Sequence, residues 1–180
     1  MRECFQFESM SMLDHGLDVR SRYLDMIGDR KMGWRLPAWV ESPAVREHLR
    51  AADDRIVGLY QVYHDCGKPA VREVDAEGRQ HFPGHALASH RRWLECSDGS
   101  PEALEVADLI AMDMDVHLLR AAGVEEFARR PQALTLLLTG LAEIHSNARM
   151  FGGIDSVGFK IKYKNIDRFG ARVVAAKESK

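Results

Sequence analysis

The chain has 180 residues, 46% of them apolar, enough to bury a core without disulfides. Its 25 basic and 27 acidic side chains leave a net charge of −2, which excludes nucleic-acid binding by bulk charge; any polyanion site has to come from a local cluster. Three cysteines, Cys4, Cys66 and Cys96, form an odd set with no CxxC spacing, which argues against a disulfide framework and for a reducing cytoplasm. The longest apolar run, Leu134 to Leu141, is interrupted by Thr135, Thr139 and Gly140 and falls far short of the roughly 18–20 residues of a membrane span. The opening MRECFQFES carries acids early and has no apolar stretch leading to a cleavage site, so no signal peptide is expected. With no repeat and no low-complexity linker, residues 1–180 are expected to form a single domain.

In chain order, the pattern predicts a helix from Ser11 to Ile27, with Met12, Leu17, Val19, Tyr23 and Leu24 as core candidates. The stretch GDRKMGWRLPAWV is expected to be a loop, given Gly28, Gly33 and Pro37; Trp34 and Trp39 in it are candidates for packing or for lining a pocket. Ser42-Pro43 is an N-cap with proline at the first helical position and opens a helix to about Arg50. A second helix spans Asp53 to His64, with Ile56, Val57, Leu59 and Tyr60 apolar, and Pro69 helps to end it. VREVDAEGRQHF is expected to be a β-hairpin around Asp75-Ala76-Glu77-Gly78, with glycine where a positive φ is wanted. Gly84 to Cys96 follows as a helix, with Leu87 and Trp93 as core. Ser100-Pro101 repeats the cap signal and opens Pro101 to Leu119, and Pro131 opens an apolar helix to about Met150. The tail GFKIKYKNIDRFGARVV alternates with period two and is expected to form one or two strands. The fold class is therefore all-α, a helical bundle with a small β-hairpin and a C-terminal β appendage.

The sharpest local feature is Tyr63-His64-Asp65-Cys66-Gly67-Lys68-Pro69. Consecutive helix residues point about 100° apart, but at a helix end both side chains of a His-Asp pair can reach one ion. Imidazole nitrogen suits zinc, iron, manganese or nickel, and carboxylate adds a hard oxygen. Gly67 is expected to serve a tight turn, and Lys68 supplies a fixed positive charge. His15 lies in the first helix, and His85 and His90 follow the hairpin in GHALASH. Asp113 and Asp115 sit in LIAMDMDVH, where an acid among Ile110, Met112, Met114 and Val116 faces solvent or finds a partner. Asp113 and His117, four apart, would share a helix face; Glu143 and His145 have a similar apolar setting. His48 and His81 are expected at the surface or in a turn, and Cys66 is expected to be a buried filler rather than a nucleophile. If the tail is a strand, Lys160, Lys162 and Lys164 share one face. That face is either simply solvated or, with Arg91, Arg92 and Lys68, a phosphate-binding strip.

His15, then His64-Asp65, then a distal aspartate resembles the ordered H…HD…D signature of the HD superfamily. HDCGKP resembles the HDxGKP of HD domains in tRNA nucleotidyltransferases and other phosphohydrolases, and FPGHALAS resembles the segment F-x-GH-x-x-x-S that follows it in many members. The match runs from about Met12 to Asp115, and the family fold is an all-helical bundle. The C-terminal GLAEIHSNARMFGGIDSVGFKIKYKNIDRFG is similar in texture to the HD phosphatase modules fused to, or encoded beside, polynucleotide kinases and to their phage relatives; those modules remove phosphates from 2′ and 3′ ends.

The resemblance implies one divalent transition metal (Mn, Zn, Ni, Co or Fe) held by His15, His64, Asp65 and a last acid, which Asp113 fits best. Members with two ions add histidines after the HD pair. His85 fits the first added position, but Asp113 stands where the second would fall, so Asp115 and Glu143 remain alternatives for the last acid. The implied activity is metal-dependent hydrolysis of a phosphate ester, with Lys68 and His85 or His90 as catalytic groups that neutralise charge or protonate the leaving oxygen. The expected substrates are nucleotides or RNA 2′/3′-phosphate ends, with a polynucleotide kinase as partner and no membrane. A dNTP or dNMP phosphohydrolase, a non-catalytic HD nucleotide-binding module and a two-iron oxygenase are the alternatives.

Overall fold

The computed structural model describes residues 1–7, 9–28 and 36–179; Gly33 and Trp34 of the expected loop lie outside the described residues. A short antiparallel hairpin, β1 (Phe5–Phe7) with β2 (Met10–Ser11), leads into α1 (Met12–Ile27). Then come α2 (Pro43–Ala51), α3 (Asp54–Tyr63), a second hairpin of β3 (Glu73–Val74) and β4 (Gln80–His81), α4 (His85–Cys96) and α5 (Pro101–Ala111). The chain continues through α6 (Val124–Arg129), α7 (Ala133–Ser146) and α8 (Val157–Glu178). The fold is all-α with two small antiparallel hairpins, and no described helix is long and apolar enough to cross a membrane.

The capping chemistry read from the sequence is in place. Ser42 and Ser100 accept hydrogen bonds at Oγ from the amides of Val45 (3.3 Å) and Ala103 (3.2 Å), each followed by proline at the first helical position. The β3–β4 turn closes as expected: Asp75 Oδ1 accepts from the amides of Glu77 and Arg79, and Gly78 takes φ +78°.

The chain divides into two compact units. The first comprises residues 1–18 and 54–114. Within it α4 packs on α5, and α5 on α3. Of the apolar residues read on α3, Ile56, Val57 and Tyr60 are buried and Leu59 is half-buried; Trp93, expected in the core, is half-buried and donates from Nε1 to the Ala103 carbonyl at 2.7 Å. Leu87 is exposed, against expectation. On α1 the buried set Met12, His15, Gly16, Val19, Tyr23 and Met26 follows a single stripe. Leu17 and Leu24 sit about 120–140° away from Met12 at 100° per residue, and both are exposed rather than in the core.

The second unit comprises residues 19–53 and 115–180. Its core is α8 packed on α6, α7 and α2, with α7 buried almost all round. Trp39 is buried against α8. A Cβ on Gly170 would stand 2.5 Å from the indole, so the missing side chain is what lets the ring lie flat there. His48, expected at the surface or in a turn, is half-buried on α2, and its Nε2 lies 3.0 Å from Thr135 Oγ1.

The expected C-terminal β appendage is instead α8. The period-two signal covers only Phe159 to Lys164, and it would bury Ile161, which is 57% exposed. Over the longer stretch the buried residues are Phe159, Ile166, Gly170, Val173 and Val174, a period of 3.6, and Ser156 caps the helix by accepting from the Phe159 amide at 3.1 Å. The lysine face dissolves with the strand: at 100° per residue Lys160 and Lys164 share a side of the helix, and Lys162 points the other way. The helix expected to run to Leu119 stops at Ala111, and Asp113–Asp115 forms a 3-10 turn, so Asp113 and His117 do not share a helix face.

Two outcomes follow. Lys164→Pro, at an exposed position inside α8, should cost about 3 kcal/mol or more and reduce helical ellipticity. The second concerns His145, which is buried edge-on to Phe159 and Tyr163 at 5.0 and 5.9 Å. Burial, with the Arg22 charge, lowers its pKa to about 3. The unfolded chain takes up a proton near pH 6.5 that the folded ring refuses. Stability from this group is complete above pH 6.5 and falls as the pH drops towards 3. Urea titrations between pH 7 and 4 should show a flatter slope for His145→Gln than for the wild-type chain.

Candidate metal centre

The His64-Asp65 pair lies in the first unit, just where α3 ends: the last helical bond runs from the His64 amide to the Tyr60 carbonyl, and the chain then turns through Cys66 and Gly67. Leaving the helix lets both side chains converge, with His64 Nε2 3.3 Å from Asp65 Oδ2. α1 brings His15, whose Nε2 is 3.7 Å from the same oxygen; a ligand atom of each histidine lies within 4.8 Å of the other's. Lys68 Nζ reaches Oδ2 at 2.6 Å, and His85 Nε2, from the start of α4, faces the other oxygen, Oδ1, at 3.8 Å.

Exposure separates these groups. His15, His64 and Asp65 are 0–1% exposed, whereas the His85 side chain is 18% exposed. Burial alone would raise the Asp65 carboxyl, but Lys68, and after it His64 and His15, outweigh burial and hold it well below the usual carboxylate range. Lys68 is itself held by the Gln6 side-chain oxygen at 3.0 Å and lies over the Phe82 ring.

The ring nitrogens are oriented from behind. His64 Nδ1 lies 2.8 Å from the Gln61 carbonyl and His85 Nδ1 3.1 Å from the Phe82 carbonyl. A carbonyl only accepts, so both Nδ1 atoms carry the proton and donate. With a single proton on Nδ1, each ring would present the Nε2 lone pair to a carboxylate oxygen. Two acceptors so placed repel unless a cation lies between them or the ring takes a second proton. Imidazole nitrogens with a carboxylate oxygen are a donor set for a divalent transition metal, and backbone carbonyls on the far nitrogens are the usual outer support of such a site. The donor set therefore fits a metal ion.

Two glycines make the convergence possible. A Cβ on Gly16, next to His15, would stand 2.2 Å from the Val62 carbonyl oxygen, so α1 meets the α3 backbone there. A Cβ on Gly67 would stand 2.2 Å from the Ala88 carbonyl carbon and the Ser89 nitrogen, while the Gly67 amide donates to the buried Ser89 Oγ at 3.0 Å. The φ of Gly67 is −89°, so its purpose is close approach to α4 rather than the tight turn expected from the sequence.

The remaining candidates are placed as follows. Asp113 is 2% exposed and accepts at Oδ1 from the Tyr60 hydroxyl at 2.7 Å; the Tyr60 ring stands edge-on to His64. His90 is half-buried on α4, about 140° round the helix from His85. In the second unit Asp115 pairs with Arg130, and Glu143 with His117 at 2.7 Å. The Cys66 thiol, donating to the Ser89 carbonyl, is pushed up to about 11 by burial and by the Asp65 charge, so it is no nucleophile at neutral pH. Sequence reasoning missed Gln6, Tyr60, Ser89 and Gly16; a glycine beside a ligand-type histidine inside a helix was the one signal on offer.

Comparison of the chain with protein-family models, with curated proteins and with solved structures gave no match.

Gly67→Ala should destabilise by about 2–3 kcal/mol, since backbone and not a flexible side chain blocks the new methyl. Gly78→Ala, in an open turn, should cost only about 1 kcal/mol. Denaturant unfolding of the two variants side by side checks the order.

Proposed function

We propose that the protein is a metal-dependent phosphohydrolase of the HD type, acting in the cytoplasm on nucleotides or on the 2′- or 3′-phosphate ends of RNA. The observation that carries this reading is the Asp65 carboxylate faced by three histidine Nε2 atoms and the Lys68 ammonium. His15, His64 and Asp65, shut off from solvent, are the residues that would hold the metal (Mn, Zn, Ni, Co or Fe, as one or two ions). Asp113 is the proposed last acid, oriented through Oδ1 by Tyr60. A metal bound there supplies a Lewis acid and lowers the pKa of water.

The chain's own groups divide the rest of the work. Lys68, fixed by Asp65 and Gln6, places a positive charge where a phosphoryl group gathers negative charge. His85 is the histidine of the cluster that solvent, and hence substrate, reaches. Its Nδ1 is tied to the Phe82 carbonyl, so Nε2 acts as the acid only after taking up a second proton from solvent, which it then hands to the leaving oxygen. His90, turned to another side of α4, is the weaker candidate for that step. The likeness of the C-terminal half to modules beside polynucleotide kinases extends the proposal to such a kinase as partner.

Metal analysis and hydrolysis of p-nitrophenyl phosphate, mononucleotides and RNA with 2′,3′-cyclic or 3′-phosphate ends test this reading. His64→Ala and Asp65→Ala should lose metal and activity while keeping most helical content. His85→Ala should keep its metal and lose about 100-fold or more in kcat. A protein that binds no transition metal, or one that turns over equally well after chelation, would sink the proposal. Preference for dNTPs over RNA ends would move the substrate to deoxynucleotides, and metal binding without turnover would make the chain a binding module.

A further inference from the structure

The side of α8 turned from the core carries a row of cations that the centre described above does not use. Lys162, Asn165, Phe169 and Arg172 fall at i, i+3, i+7 and i+10, one face of a helix, and Arg168 flanks them. Asn165, Arg168, Phe169 and Arg172, with the segment around Arg120, wall a groove of about 450 Å³; it adjoins a hollow of about 80 Å³ lined by Lys162 and His117. Among the described residues no carboxylate lines either space. None of Arg120, Lys162, Arg168 and Arg172 forms an ion pair among the described residues, whereas Lys160, on another side of α8, lies 3.8 Å from Asp155. Arg168 is steered by neutral groups instead: its guanidinium lies over the Phe169 ring, 4.5 Å from the centroid, and donates to Asn165 Oδ1 at 3.4 Å.

We infer that this face of α8, with Arg120 opposite, is a binding groove for single-stranded nucleic acid. Ten residues from Lys162 to Arg172 rise about 15 Å, a row too long for one phosphate and suited to successive phosphates of a strand. A half-exposed aromatic ring and a guanidinium plane beside the cations offer stacking surfaces for bases, the pairing of features by which sequence-tolerant single-strand sites work. A phosphopeptide, with its isolated phosphate, would use one end of such a row and leave the rest vacant. In a chain whose net charge is −2, attraction for a polyanion has to arise from such a local concentration of unpaired cations. The choice of RNA as the strand rests on the function proposed above; the groove itself does not.

The test is binding of a fluorescent single-stranded RNA oligonucleotide to the full chain across a salt series, with p-nitrophenyl phosphate hydrolysis measured in parallel. Arg168→Ala/Arg172→Ala should weaken binding at least tenfold and flatten the logarithmic salt slope by about 1.4, at about 0.7 per lost contact. Arg46→Ala/Lys160→Ala removes the same charge from two ion-paired positions outside the groove and should weaken binding less than twofold. Arg120→Ala, outside the helix, should weaken binding several-fold even if the double variant disturbs α8. Hydrolysis of the small ester should be unchanged in all three. Equal losses in the two double variants, no binding by the wild-type chain, or displacement of the RNA by a phosphopeptide at equal concentration would overturn the groove. Absence of hydrolysis with RNA binding intact would instead overturn the phosphohydrolase reading and leave the groove standing.

Discussion

A carboxylate taken out of water must be matched by positive charge or by hydrogen bonds, and in the first unit that requirement falls on Asp65. With 1% of its side chain exposed, the group would be neutral if burial acted alone. It stays ionised because Lys68 and the histidines crowd its two oxygens. Everything else in the unit's arrangement serves that convergence: α3 ends in time to release two consecutive side chains toward one point, α1 delivers a histidine from a distant part of the sequence, and α4 begins with another. The ammonium of Lys68 is the strongest influence against burial at Asp65, and His64 and His15 add to it.

Such crowding needs backbones closer together than ordinary side chains allow. Gly16 and Gly67 provide this on two sides of the cluster, each where a methyl group would meet main-chain atoms at 2.2 Å. Main-chain atoms in packed helices do not yield as side-chain ends do. The two contacts therefore fix the distance at which His15 and His85 approach Asp65. The second unit uses the same device with a different partner, letting the Trp39 ring lie on α8 at Gly170.

Much of this was legible in the sequence where the signal is local. The Ser-Pro caps at Ser42 and Ser100, the hairpin around Gly78 and the helical class all follow from chemistry within a few residues. The joint reading of His64, Asp65 and Lys68 came from their place in one heptapeptide, and that of His15 with them from the resemblance to the HD signature. What the sequence did not yield was longer in range. The alternation in FKIKYK is real over six residues but loses to a 3.6-residue repeat that shows only when the window extends to Val174. α5 ends at Ala111, and the Asp113 that follows accepts from Tyr60, 53 positions away, a pairing that no local pattern signals. The reason for Gly67 lies at Ser89 of α4, 22 residues later, so the residue looked like a turn former.

The carbonyl contacts behind His64 and His85 have a thermodynamic consequence for any cation received there. An untethered imidazole can rotate about two bonds, and immobilising it on binding costs roughly 0.5–1.5 kcal/mol. A ring whose Nδ1 already donates to Gln61 or Phe82 has given up that freedom during folding. The entropy is lost once, when the chain orders, and not again with each exchange of ion. Affinity at such a centre becomes a property of the fold's rigidity as much as of the ligand atoms, and selectivity among metals is governed by how little the frame can adjust to a different radius.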